Sequence, residues 1–156
     1  MTIAHRGELG HNAGVMSTSS AIIREPVSPT LSSASRVFVD SAIHQWRGQK
    51  WCHVFSPDID ALHRMLASVG SRREWFQDPS TMPGVSWPHY DANARRRIAL
   101  VEAGAVPLGR HQTVVMACAI RNRWFGTDLD PLAGHRKRGS PLTERLEEWL
   151  GRELGG

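Results

Sequence analysis

A strand that runs straight into a capped helix limits this chain to folds in which helices pack on a sheet. Trp51-Cys52-His53-Val54-Phe55 is a short apolar run, and alternation puts Trp51, His53 and Phe55 on one face and Cys52 and Val54 on the other. Ser56 follows as a good N-cap, and Pro57 suits the first helical position. Asp58 and Asp60 oppose the positive end of the helix dipole. Ile59, Leu62, Leu66 and Val69 form the apolar stripe, and Gly70 ends the helix.

The other elements are placed around this pair. Val37-Phe38-Val39 predicts a buried strand ending at Asp40. A loop follows through Trp46 to Lys50, with a turn at Gly48. Residues 74–77 offer a third short strand, and the Pro- and Gly-containing run from Asp78 to Pro88 reads as loop. A second helix starts after Asp91 and ends at Gly104, with Ala94, Ile98 and Val101 inward. Ala105 to Leu108 is a strand whose proline argues for an edge or a strand end. Residues 111–123 make a third helix with Val114, Val115, Cys118 and Ala119 as its apolar positions. The expected fold is α/β, a small layered β-β-α-β-α-β-α domain over residues 36–125.

Two additions flank that domain. Residues 1–35 are rich in Ser, Thr, Pro and Ala and predict a disordered leader. Residues 126–139 read as a polar linker, and Ser140-Pro141 caps a last amphipathic helix over 140–156. Its stripe of Leu142, Leu146, Trp149, Leu150 and Leu154 needs a surface to cover it. The domain looks complete without it, so self-association or a protein partner is the expectation for this helix.

Charge and composition narrow the function classes. The net charge is +4. Residues 35–125 carry twelve basic and seven acidic side chains, so the central domain holds the whole positive excess. Such a surface attracts polyanions, and a nucleotide or nucleic acid is the expected partner class. No apolar run is long enough to span a membrane, and no signal-like apolar stretch opens the chain. Two cysteines, Cys52 and Cys118, with no C-x-x-C pair, exclude a disulfide framework and a thiolate zinc site. Both read as buried thiols, and the expected compartment is the cytoplasm.

Chemistry is concentrated in a few positions. His89-Tyr90-Asp91 sets an imidazole, a phenol and a carboxylate side by side, and Tyr90 is the single Tyr of the chain. Asp91 also stands where an N-cap is wanted before Ala92-Asn93-Ala94. Asp40, at a strand end, can serve as base, ligand or turn cap. His53 sits in an apolar strand and needs a partner when buried. A His-x-Asp pair can bind a metal through nitrogen and oxygen, but the set is incomplete unless Asp40 or His53 joins it. No metal ligand set is assigned on this ground, and the cofactor is left open. Trp46 beside Arg47 can stack a base and grip a phosphate, and in a small domain Trp equally supplies core area. Walker, G-x-G-x-x-G, H-E-x-x-H and G-x-S-x-G motifs are absent.

The blocks Val37-Phe38-Val39-Asp40, Trp46-Arg47-Gly48, His53, Asp60-Ala61-Leu62-His63, Trp75-Phe76-Gln77, Pro88-His89-Tyr90-Asp91 and Gly104-Ala105-Val106 together resemble the bacterial and phage domain-of-unknown-function family DUF4031, over about residues 36–123. The resemblance implies a compact α/β domain of bacterial or phage origin and no particular activity. The Ser-rich leader, the Pro-Gly insertion before His89 and the C-terminal helix depart from the family pattern.

Two functions follow. The first is a small enzyme acting on a phosphate-bearing substrate, a nucleotide or nucleic acid. Asp40, His53, His89 and Asp91 are its catalytic set, and Trp46, Arg47, Tyr90 and Arg95 its substrate contacts. The second is a non-catalytic binding module with the basic helix 92–103 on a polyanion and the terminal helix on a partner. An enzyme must gather its polar groups in one pocket, whereas a module must show a continuous Arg face.

Overall fold

The structure, a computed structural model, describes residues 35–41 and 43–155. The expected leader therefore lies, but for Ser35, outside the described residues. Among the described residues, six strands and five α-helices follow in the order β1 (Phe38–Val39), β2 (His44–Trp46), β3 (Gln49–Phe55), α1 (Ile59–Ser68), β4 (Phe76–Gln77), β5 (His89–Asn93), α2 (Ala94–Glu102), β6 (Val106–Pro107), α3 (Arg110–Phe125), α4 (Ala133–Lys137) and α5 (Thr143–Leu154). The sheet order is β4-β5-β3-β1-β6, with β2 also paired to β3. β1 and β6 are parallel, and the other pairs are antiparallel.

The sheet is covered on both faces. Cys52, Val54, Tyr90 and Ala92 pack under α1 and α2 with Leu62, Leu66 and Leu100. Phe38 and Phe55 face the other way and pack with Leu108, Met116 and Ile120. A third cluster of Val115, Leu132 and Leu146 joins α3 to the C-terminal segments. The alternation expected for β3 is the observed one. The layers are helix, sheet and helix, the α/β arrangement that a strand-to-helix start implies.

α1 forms where its stripe demands, two residues later than its cap signals suggest. Asp58 is the N-cap, accepting from the Ala61 N–H at 3.0 Å. Ser56 instead accepts from the Asp58 N–H at 3.0 Å and donates to the Arg36 carbonyl at 2.7 Å. Gly70, at φ 76°, closes the helix: its N–H reaches the Ala67 carbonyl and that of Ser71 reaches Leu66.

Several expectations are corrected. The segment 40–50 is not a plain loop. β2 and β3 form a hairpin around Arg47 and Gly48, both at positive φ (49° and 73°), the geometry of a tight two-residue turn. β2 is wholly exposed and carries no apolar periodicity. The triplet 89–91 is not a loop before a helix but part of β5, paired to β3 and β4. Asn93, not Asp91, caps α2, accepting from the Arg96 N–H at 2.9 Å. On α2 the buried residue is Leu100, while Ile98 is 59% exposed and Ala94 is exposed too. On α3 the buried face is Val115, Met116 and Ile120, and Val114 points outward.

The C-terminal segments pack on the domain. α4 lies inside the expected linker, with Leu132 and His135 buried. Leu146 of α5 is buried, and Trp149 and Leu150 pack against the clusters around α3. Arg36, at the start of the domain, donates to the Glu153 carboxylate at 3.2 and 3.3 Å. No described helix is long and apolar enough to cross a membrane.

Candidate functional site

The site begins at an interruption in the sheet. β1 pairs with β3 at Val54 and Phe55, and β2 pairs with the same edge at residues 49–51. Between them the backbone of His53 would lack partners, and Asp40 supplies both. Its N–H donates to the His53 carbonyl at 3.1 Å, and its Oδ1 accepts from the His53 N–H at 2.7 Å. Its Oδ2 lies 2.7 Å from His53 Nδ1. A carboxylate only accepts, so Nδ1 carries the proton and Nε2 is left free. Arg97 fixes Asp40 from α2, with Nε donating to its carbonyl at 2.7 Å. Burial pulls the His53 imidazole down, but the hydrogen bond and charge of Asp40, with the charge of Asp91, outweigh it and hold the group above its ordinary value.

The antiparallel register brings in β5. Asp91 stands directly opposite His53, and His89 lies two residues away on the same face. The His53 and His89 rings are 5.0 Å apart, edge to face. His89 Nδ1 donates to the Trp87 carbonyl at 2.8 Å, and its ring stacks on the Trp87 indole at 4.6 Å. Its Nε2 faces Asp91 Oδ1 at 3.8 Å. Gln77 of β4 donates to the other oxygen of Asp91. Burial, joined by the charge of His53, holds His89 below its ordinary value against the opposing pull of the Trp87 hydrogen bond.

A cavity of about 800 Å³ opens between this end of the sheet and α3. Asp40, His44, His53 and Trp87 line the sheet side. Arg110, Thr113, Val114, Ala117, Cys118 and Arg121 line the helix side, at the spacing of one helical face. The cavity lies beyond the carboxyl ends of the parallel strands β1 and β6, where open α/β sheets place ligands. Neither Arg110 nor Arg121 forms an ion pair among the described residues. Burial raises the Cys118 thiol, which makes it a poor nucleophile at neutral pH. Cys52, on the opposite face, is pushed up to about 12 by burial and then by the charge of Asp40.

Of the expected catalytic set, Asp40 and His53 line the cavity and His89 and Asp91 do not, although all four are brought together at this end of the sheet. The residues read as substrate contacts are not. Tyr90 alternates to the other face, 1% exposed, with its hydroxyl 2.7 Å from His63 Nδ1. Trp46 and Arg47 sit at the tip of the hairpin, the guanidinium 4.5 Å from the indole, outside the cavity wall. Arg95 borders a separate hollow beside Gln49, Lys50 and Asn93. Its neighbours diverge too, Arg97 to Asp40 and Arg96 over the Trp75 ring at 5.1 Å, so α2 shows no continuous Arg face.

Sequence reasoning missed His44, whose ring is 4.6 Å from that of His53, and the arginines of α3. His44 lies on a strand that has no apolar signal. Arg110 and Arg121 did carry one: with Thr113, Val114, Ala117 and Cys118 they form a single stripe of small side chains bounded by two cations.

The sequence model of a family described as "Protein of unknown function (DUF4031)" matches residues 37–120, more than half of the chain. No curated protein and no solved structure matches the chain.

Proposed function

As the chain belongs to the DUF4031 family, whose description assigns no reaction, we propose its function from the site: an enzyme that hydrolyses a phosphate ester, with a nucleotide or a nucleic-acid end as substrate. One observation carries this reading. A single cavity has an imidazole–carboxylate end on the sheet, at Asp40, His44 and His53, and two cations on the facing helix, at Arg110 and Arg121. Arginine suits phosphate through its planar fork of donors. Trp87, Ile43 and Val114 give the same cavity an apolar wall on which a base can rest. In the reaction a water oxygen bonds to phosphorus, the ester P–O bond breaks, and the departing oxygen takes a proton. The arginines hold the phosphoryl oxygens as charge builds on them, and the Asp/His end activates the water. His53 is the catalytic residue that reaches the cavity. Asp40 is a positioning residue that acts through it.

The test is turnover of p-nitrophenyl phosphate, its bis-ester and a set of nucleoside phosphates. His53→Ala is expected to lower kcat by at least ~100-fold. Arg110→Ala and Arg121→Ala are each expected to raise KM about tenfold, the worth of one charge-assisted hydrogen bond. Undiminished turnover in folded His53→Ala protein would exclude the reading, as would failure of every phosphate compound to perturb the NMR signals of the cavity residues.

A further inference from the structure

We propose that His53, His89 and Asp91 form a binding site for one divalent first-row transition ion, held by two imidazole nitrogens and one carboxylate oxygen. Each of the three offers one ligand atom, and these atoms lie within 4.8 Å of one another. In a tetrahedral set with bonds of ~2.1 Å, ligand atoms stand about 3.4 Å apart, so small side-chain rotations close the set. The free nitrogen of His89 points into this space. Its side chain is 8% exposed, and it faces Asp91 Oδ1 at 3.8 Å, beyond hydrogen-bond reach.

The second observation is independent of those distances. Every ligand is held through its other polar atom. His53 Nδ1 is bonded to Asp40 Oδ2, His89 Nδ1 to the Trp87 carbonyl, and the second oxygen of Asp91 to Gln77. Metal-ligating histidines are oriented in this way, by a carboxylate or carbonyl on the nitrogen that does not bind the ion. The alternative grouping of Asp40, His44 and His53 is disfavoured by the same bonds. Both oxygens of Asp40 are already engaged by His53, and an ion there would compete with those contacts. The ligand types select imidazole-preferring ions such as Zn²⁺, Co²⁺, Fe²⁺ or Ni²⁺ over Mg²⁺ and Ca²⁺. An ion with three protein ligands keeps positions open for water and for a phosphoryl oxygen. Its use in catalysis rests on the hydrolase reading above, with the ion in place of the free His53 nitrogen as the group that would activate water, while the binding itself does not.

The experiment titrates chelator-treated protein with Zn²⁺ by calorimetry and with Co²⁺ by visible absorption, without substrate. We expect one ion per chain, with the visible bands of Co²⁺ in low-coordinate nitrogen and oxygen ligation. Asp91→Asn and His89→Gln should weaken binding beyond the ~100-fold that marks the upper range for supporting residues, and Asp40→Asn, which only orients His53, by ~10–100-fold. His44→Ala should leave affinity unchanged. Circular dichroism establishes that each variant is folded; Asp91 is 43% exposed in its side chain, so Asp91→Asn carries the test if the buried His89 variant does not fold. Absence of stoichiometric Zn²⁺ or Co²⁺ binding by the parent overturns the inference. So does loss of binding in His44→Ala with binding kept in Asp91→Asn. Bound metal without phosphate-ester turnover overturns the hydrolase reading alone, and turnover by protein that binds no ion overturns this one alone.

Discussion

His63 shows what a buried imidazole does when it is not part of the chemistry. It lies on α1, 8% exposed, bonded to the Tyr90 hydroxyl and edge-on to Phe76. Burial, and then the charge of Arg73, hold it below its ordinary value of 6.5, with Asp60 opposing. The folded state thus takes up its proton less readily than the unfolded chain. The stability that neutral His63 contributes is full above the unfolded value and is lost as pH falls through the lowered one. Urea midpoints of the parent and of His63→Gln should diverge between about pH 7.5 and 5, the parent losing more on acidification. A constant difference would show that His63 titrates alike in both states. At this scale the sequence was partly legible. Asp40 and His53 stand out as polar groups at a strand end and in an apolar run, and His89 and Asp91 as members of a polar triplet behind a proline-rich run. Tyr90 did not betray its place, because the side of the sheet it takes depends on reading 89–93 as a strand.

Elements were legible wherever a side-chain period was strong. α1 has a clear stripe and closing glycine, and its extent was recovered to within a turn. β5 was hidden because the prolines before it read as loop and its own residues read as a polar triplet. Its pairing comes from its partner: β3 is long enough to template strands on both edges. β2 was hidden because an exposed edge strand needs no apolar alternation. Its hairpin nonetheless sets His44 beside His53, and the turn depends on Gly48 at φ 73°, where an added Cβ would meet nothing within 4 Å. Gly48→Ala therefore suffers no clash and only the backbone cost of a left-handed residue, roughly 1–2 kcal/mol. The expected result is a modest fall in the urea midpoint with the rest of the fold intact. An unchanged midpoint would mean that the hairpin tip adjusts freely.

For the whole molecule, the layered α/β class was readable from one strand–helix junction, but the fate of the terminal helix was not. The same stripe on α5 can cover its own domain or a neighbour, and periodicity does not distinguish them. The family match stops at Ile120, inside α3, yet the core around that helix continues into α5 through Leu146, Trp149 and Leu150. Trp149→Glu with Leu146→Glu should therefore lower stability by at least ~3 kcal/mol, as two lost core contacts require, with no change in mass by light scattering. A drop in mass without loss of stability would assign the helix to association instead. The interruption between β1 and β2 carries a kinetic consequence as well. Asp40 and His53 are neighbours through a short excursion of the chain, whereas His89 and Asp91 reach them only after the long passage through α1 and the proline-rich segment. The hairpin can close early, but the second pair arrives with the non-local docking of β5, which loop-closure entropy makes late. A partly folded chain thus holds only half the cluster, and the complete set of groups becomes available together with the finished sheet.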